Sequence, residues 1–475
     1  MAKSTSSASN TQVTFNFKNG TVRGDFDGGD ISSNAGVVLL RQLDDRRHYV
    51  KRIAACISEW RKGKTQYEIE DLVRMDVYMK ACGYPDGNDA NSLRNDPAFK
   101  IAASPNWSDL PGQSSGSRLH NNVDADSIQR MQNLLPKQYL ARFKRPPKSI
   151  LLNMDSTCDP VFGSQQLSFY NKFYHEYCYT HLYLLADDGF PLGGVLRAGN
   201  AGAGEGGLAM LANVVSELRA KRKKMRIEYR ADSAFQHFHT FDWCEQNRVT
   251  YFIGVAPNNV LTTLTKDLVL RAHEQYVALY GEPSPLHGKT WNQNEERIRF
   301  STNEEGRQQE LFERDQRIRI YGEVQYAAAS WSRKRRVIVR VDYSAEGEDI
   351  RYVVTNSETG TAKHIYENKY CKRARCEMHI KELKSQRVDR LSSPEWLPNQ
   401  FKLLMHLFAY AMQIELRATL PPYERHLSTE TLRVRFLNIA GQVQLGVRVS
   451  RIRWSSSHPN QLQIRCLIDR LQVVA

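Results

Sequence analysis

The chain of 475 residues carries 66 Lys and Arg against 52 Asp and Glu, a formal net charge of +14 with a pI near 9.3. That length suits two to four domains with a sizeable core, and the basic balance favours a polyanionic partner: DNA, RNA or an anionic membrane surface. The eight cysteines are scattered with no CxxC and no Cys/His zinc spacing, which excludes a disulfide framework and reads as reduced thiols of a cytoplasmic protein.

In chain order, residues 1–12 (MAKSTSSASNTQ) are a Ser/Thr-rich tail expected to be disordered, without the apolar run of a secretory signal. Residues 13–145 read as a helical region, with segments near 35–62, 66–82, 91–103 and 123–141 and a turn at Gly83–Gly87. Arg46, Arg47, Lys51, Arg52, Arg61, Lys62 and Lys64 make its first segment basic. Contact with a DNA backbone and a solvated helix face are both open readings, and no helix-turn-helix pattern decides between them. The run FKRPPKS (143–149) reads as a hinge.

Residues 146–261 read as alternating strands and helices. SILLNMD and MRIEYRAD are apolar strands that each finish in an acid, Asp155 and Asp232. His181–Ala186 and Pro191–Ala198 form a predicted hairpin, followed by a helix over 205–222 and a strand over 249–255. The loop NAGAGEGG lacks the Lys-Ser of a P-loop and the GxGxxG spacing, so it reads as a turn before a helix. Residues 262–346 read as a β-rich insertion holding Trp291, Trp331 and the basic run RKRR, with Arg333 and Arg336. Residues 347–418 return to the core through DIRYVVTN and end in an apolar helix. Lys402, His406 and Glu415 rule that helix out as a membrane span. Residues 419–475 form a tail whose basic residues are all Arg; in VRVSRIRW, Arg448 alternates in sense with Arg451 and Arg453.

The chemistry gathers in YCKRARCEMHIKELK, residues 370–384. At about 100° per helical residue, Tyr370, Arg373 and Lys384 fall within about 40° of Glu377, with Lys381 beside them and Glu382 about 140° away. Such a face is either a set of solvated i,i+4 ion pairs or a reactive surface. Two acids at strand ends and a third on a later helix suit two Mg²⁺ or Mn²⁺ ions and phosphodiester chemistry. His237 and His239 are two apart on a predicted helix and do not share a metal, and Cys376 has no positioned histidine to make it a nucleophile.

The spacing Tyr370-x2-Arg373-x3-Glu377-x6-Lys384 resembles the Tyr-Arg-Glu-Lys signature of bacterial insertion-sequence DDE transposases. Asp155 in LLNMDST and Asp232 in YRADSAF resemble the first two acids of that triad. LGGVLRAGNAGAGEG, RMDVYMKACGYPDGNDANSLRNDPAFK and TLRVRFLNIAGQV resemble a subgroup of the same family, so the likeness runs from about residue 15 to the C-terminus. The resemblance implies an α/β fold, in which an RNase H-like catalytic core is interrupted by the β-rich insertion and preceded by a helical DNA-binding region. It implies catalysis by Asp155, Asp232 and Glu377 as ligands of two Mg²⁺ or Mn²⁺. DNA contacts are then expected from Tyr370, Arg373, Lys381, Lys384, Trp331, Arg333 and Arg336. The implied partner is double-stranded DNA, as transposon ends and target, held by a homodimer in a bacterial cytoplasm near the nucleoid, with no membrane. A nuclease on the same core and a domesticated DNA-binding protein are the other two classes; the intact acids disfavour the second and the matching terminal segments the first.

Overall fold

The computed structural model describes residues 12–104, 106–282, 316–446 and 449–472; the tail up to residue 11, Trp291, Arg448 and most of the interval before residue 316 lie outside them. The chain divides into two units, one of residues 128–384 and 391–407, the other of the N-terminal segment to Ser127 with residues 385–390 and 408–475. Among the described residues no helix is long and apolar enough to cross a membrane.

The first unit is built on a nine-stranded mixed sheet. Its strands are β1 (Ser149–Pro160), β2 (Phe169–Asn171), β3 (Glu176–Ala186), β4 (Pro191–Arg197), β5 (Arg226–Ala231), β6 (Val249–Val255), β7 (Arg317–Tyr326), β8 (Arg335–Ser344) and β9 (Gly347–Thr355). The order is β7-β8-β9-β6-β5-β1-β3-β2, with β4 also pairing β3. β1, β5 and β6 run parallel and every other pairing is antiparallel. The central strands are nearly continuous apolar runs because both of their faces are covered. The five strands β6-β5-β1-β3-β4 have the order and directions of an RNase H-like core, consistent with the expectation. Helix α1 (Gly207–Lys221) buries Met210, Leu211, Val214, Val215 and Leu218, the stripe of an amphipathic helix. Helices α2 (Phe238–Gln246), α3 (Lys266–Tyr280), α4 (Ala374–Ser385) and α5 (Trp396–Thr419) complete the elements used below.

The expected insertion over 262–346 is corrected at its strands. β7 and β8 do not form a separate sheet; they continue the core sheet through β9. The physical reason is the open edge that β6 would otherwise present, which β9 and its hairpin cover. One apolar cluster joins Phe252, Ile338 and Val353 to Ile365 and Tyr366, so the added strands share the core. α3 closes on β7 at Gly322, where a Cβ would come within 2.4 Å of Leu268.

The second unit corrects two expectations. Residues 13–24, placed in a helical region, form a β hairpin of Val13–Phe17 with Gly20–Gly24. The tail from 419 is no separate region: Gly441–Gln444 pairs with both Ile31–Ser32 and Arg451–Trp454. The segment 35–62 is broken at His48, whose left-handed backbone separates helices Val37–Arg47 and Tyr49–Ala54. Arg46 donates to the Arg470 carbonyl and Arg47 pairs with Glu415, so part of the basic run is used internally. Lys51, Lys62 and Lys64 are exposed.

Candidate active site

Asp155 lies inside β1 and Asp232 directly follows β5. The parallel register pairs Asn153 with Arg230, and two residues further along both strands bring Asp155 and Asp232 side by side on one face. This is the C-terminal edge of the parallel strands, where open α/β sheets bind ligands. Asp232 also caps a one-turn helix, accepting from the Ala234 amide at 2.9 Å, which fixes its orientation. Asp155 is 9% exposed and accepts from the Ser156 amide. Burial raises its pKa to about 6; the Arg373 guanidinium opposes the rise, and the nearby Asp232 and Glu377 carboxylates add to it. A carboxyl perturbed by burial and by two further acids marks a functional cluster.

The segment bearing Tyr370 to Lys384 is not one regular helix. Ile365–Tyr370 is a wide π turn, Cys371–Arg373 a 3₁₀ turn, and only α4 is α-helical. The 100° rule therefore fails across Tyr370 and Arg373, and local π geometry of this kind often marks functional sites. Tertiary anchors hold it. The fully buried Arg230 donates to the Lys369 carbonyl at 2.9 Å and to Asp187 at 2.6 Å, and Lys369 pairs with Glu228 at 2.9 Å. Thus β5, two residues before it delivers Asp232, also positions the start of the signature.

The result brings Arg373 onto Asp155, with Nη1 3.0 Å from Oδ2, while Nη2 lies 3.4 Å from Glu377 Oε1. Glu377 itself is largely exposed. Tyr370 reaches the second acid: its hydroxyl occupies the space beside Asp232 that Gly254 leaves open, 2.7 Å from where a Cβ would sit. Lys381 is exposed on α4. Lys384 is drawn away from the acids to the end of β1, 3.2 Å from Asp159 and 3.0 Å from the Cys158 carbonyl. Asp159 also lies 2.8 Å from His181; burial works against ionisation of its carboxyl, but His181 and Lys384 together hold it down near 2.

Trp331, Arg333 and Arg336 are not brought to the acids. Register sets Arg336 level with Thr355 and Phe252, three strands from β5, roughly 15 Å away at about 4.8 Å per strand. Trp331 packs edge-on against Phe241 and Tyr326, Arg333 pairs with Glu245, and Arg336 with Glu323. Their neighbour Arg335 is buried in a cluster with Asp242 and Glu245. Arg333 and Arg335 of the run RKRR thus tie the start of β8 to α2, and Arg336 ties it to β7.

Among the described residues no three His, Cys, Asp or Glu side chains converge tightly enough to hold a metal ion. The guanidinium of Arg373 lies between two of the three acids. The donor set nevertheless suits a hard divalent cation: carboxylate oxygens, with Asp232 and Glu377 close enough to Asp155 to add to the rise that burial imposes on its pKa.

Sequence reasoning missed Arg230, Gly254 and a cavity of about 760 Å³ that has Asp155 and Asp232 in its wall. The Arg of YRAD stood next to the second acid, but only the structure shows it turning toward residue 369.

Comparison with curated protein sequences finds no match. A solved structure, the piggyBac transposase synaptic complex with hairpin DNA, is similar at 12% identity and a TM-score of 0.40, over 92% of this chain and 82% of that one, a likeness too weak to argue from. The family described as transposase DDE domain, group 1, matches residues 15–475, nearly the whole chain. The chain is therefore a DDE-domain transposase of that family.

Proposed function

We propose that this transposase binds the terminal inverted repeats of its own insertion sequence, of the bacterial group bearing the Tyr-Arg-Glu-Lys signature. It then cleaves and rejoins DNA strands there, by a cut-and-paste route. The observation that carries the reading is the register-matched pair Asp155 and Asp232, with Arg373 linking Asp155 to Glu377. Asp155, Asp232 and Glu377 are the residues that would hold two Mg²⁺ or Mn²⁺. Such ions, when bound, polarise the phosphodiester and raise the acidity of water or of a 3′-hydroxyl.

The chain's own residues supply the rest. Asp232 is pre-oriented by the Ala234 amide and Asp155 by the Ser156 amide, so neither needs to reorganise on meeting substrate. Arg373 compensates the clustered acids before DNA arrives, and its planar fork suits a phosphate oxygen pair afterwards. Tyr370 holds its hydroxyl beside Asp232, within reach of the same phosphate. Lys381, exposed on α4, extends the contact to flanking phosphates, and in the other unit the exposed Lys51, Lys62 and Lys64 offer phosphate contacts of their own. A dimer on paired ends gives each end both a binding and a cutting subunit.

The test is cleavage of DNA carrying the sequences that flank the gene, with Mg²⁺ or Mn²⁺. Specific nicking at the repeat ends by the wild-type protein, lost on Asp155→Ala, is the expected result. Repeat-independent cutting would point instead to a nuclease on the same core.

A further inference from the structure

The edge of the first unit's sheet that lies opposite the acids is strongly basic. β1, β5 and β6 start side by side there, because Ser149 pairs with Arg226 and Ile227 with Val249. From Ser149 to Asp155, and from Arg226 to Asp232, six steps of strand set this edge about 20 Å from the acids. Lys144, Arg145 and Lys148 lie in the segment that enters β1, the run read from sequence as a hinge. Lys223 and Lys224 lead into β5, which Arg226 opens, and Arg248 precedes β6. All seven are exposed.

The three segments are fastened to one another. The Arg226 amide donates to the Lys148 carbonyl at 3.0 Å, and Arg222 donates to the Pro146 carbonyl at 2.9 Å. Arg219, in the last turn of α1, donates to the carbonyls of Asn247 and Arg248. Two partly buried arginines thus hold the loops together, while the seven exposed cations stand in solvent.

Nothing nearby neutralises them. None of the seven pairs with a carboxylate among the described residues. The acids of this edge are engaged elsewhere: Glu217 with Lys137, Asp188 with Arg142 and Asp187 with Arg230. Helices α1 and α2 end here, and their carbonyl ends together carry about one negative charge, which offsets about one cation of the seven. A solvated surface mixes both signs, whereas cations alone repel one another until an anion arrives.

The dimensions fit duplex DNA. Three strands at about 4.8 Å spacing span about 10 Å. That length of duplex carries about six phosphate charges. The one ring in these segments, Phe143, packs edge-on against Tyr139, and Met225 is buried. Charge is thus offered without a stacking platform for single strands or an apolar face for lipid.

We propose that this edge is a second DNA-binding surface: it grips double-stranded DNA outside the element's ends, through phosphates and whatever the sequence, while the acids on the far edge work on the end. The inference rests on the DNA-cleaving reading above. Lysine and arginine on short loops, with no helix or strand to enter a groove, reach the backbone and read no base.

The full chain is bound, without divalent ion, to an immobilised duplex carrying the element's end, and capture of a second, labelled duplex of unrelated sequence is measured. The wild-type protein should capture two such duplexes of different sequence equally, and less as salt rises. The triple replacement Lys223→Gln, Lys224→Gln and Arg226→Gln should lower capture roughly tenfold. It should also flatten the dependence on log salt by about one unit for each cation that meets a phosphate. This variant should hold the immobilised end as before, cut it at the wild-type rate when Mg²⁺ is added, and keep its melting temperature. Lys144→Gln, Arg145→Gln and Lys148→Gln together should do the same, and Lys223→Arg with Lys224→Arg should capture normally. Wild-type capture by both triple variants would overturn the surface, as would capture that follows the sequence of the second duplex. A single-stranded RNA or an anionic vesicle held by these residues in preference to the duplex would assign another partner and overturn it too. If the wild-type protein cuts its ends but captures no second duplex, only this surface falls. If it neither binds nor cuts any DNA, the DNA-cleaving reading falls with it.

Discussion

Gly254→Ala probes the least obvious part of the site. Gly254 lies on β6 next to Asp232, because Ile253 pairs with Ala231. Its backbone is ordinary, so alanine meets no conformational penalty; space alone decides. The new Cβ would stand 2.7 Å from the Tyr370 hydroxyl, 2.9 Å from the Ser233 nitrogen and 3.3 Å from the Asp232 carbonyl carbon, where ordinary contact begins at 3.4 Å. The hydroxyl and the Ser233 backbone must therefore retreat by several tenths of an ångström, and Asp232 moves with them. Overpacking of this kind costs about 1–3 kcal/mol of stability. Displacing reactive groups by about an ångström costs on the order of 100-fold in rate. Single-turnover cleavage of labelled end DNA should thus fall about 10- to 100-fold, with DNA affinity changed by no more than about threefold. Adding Tyr370→Phe removes the nearest clashing atom and should restore part of the rate. Wild-type cleavage by Gly254→Ala would refute the claim that Tyr370 and Asp232 are held against this strand.

Arg373→Ala should lower cleavage far more than DNA affinity, because the guanidinium links Asp155 to Glu377; equal losses, by cleavage and binding assays, would make it a general backbone contact. Arg335→Ala removes the buried partner of Asp242 and Glu245, which keep Ser332, Arg333 and Tyr251, and should cost about 1–3 kcal/mol in chemical unfolding, with no specific loss of DNA binding. Asp159 is held near 2 against an ordinary 3.8, so its contribution of roughly 2 kcal/mol is present above the ordinary value and lost as pH falls through about 2. Asp159→Asn should flatten the stability profile between pH 4 and 2, and an unchanged acid limb would contradict the pairing with His181 and Lys384.

The acids and the core strands were legible because each rests on a local pattern. SILLNMD and MRIEYRAD are apolar runs of strand length ending in a carboxylate, and neighbouring parallel strands bring such ends together. The face of residues 370–384 was only half legible: Arg373 and Glu377 meet as an i,i+4 pair, but the π and 3₁₀ turns before α4 follow from Arg230 and Glu228, which are distant in sequence. Lys384 and Arg333, expected on DNA, share a feature that their sequence context does not show. A basic residue beside a signature suggests phosphate, while an acid that the fold brings near, the buried Asp159 or the partly buried Glu245, pairs with it in the protein. β7 and β8 read correctly as strands, yet nothing local says which sheet edge they complete. Nothing in the sequence of residues 169–177 separates its exposed rings from core aromatics.

The central claim is that Asp155, Asp232 and Glu377 form one site that cuts DNA. Its most direct test is Asp232→Asn, which keeps size and the Ala234 hydrogen bond while removing the charge. With Mg²⁺ or Mn²⁺ and DNA bearing the element's ends, this variant should bind as the wild-type protein does and cut nothing. Cleavage at the wild-type rate by Asp232→Asn would contradict the account.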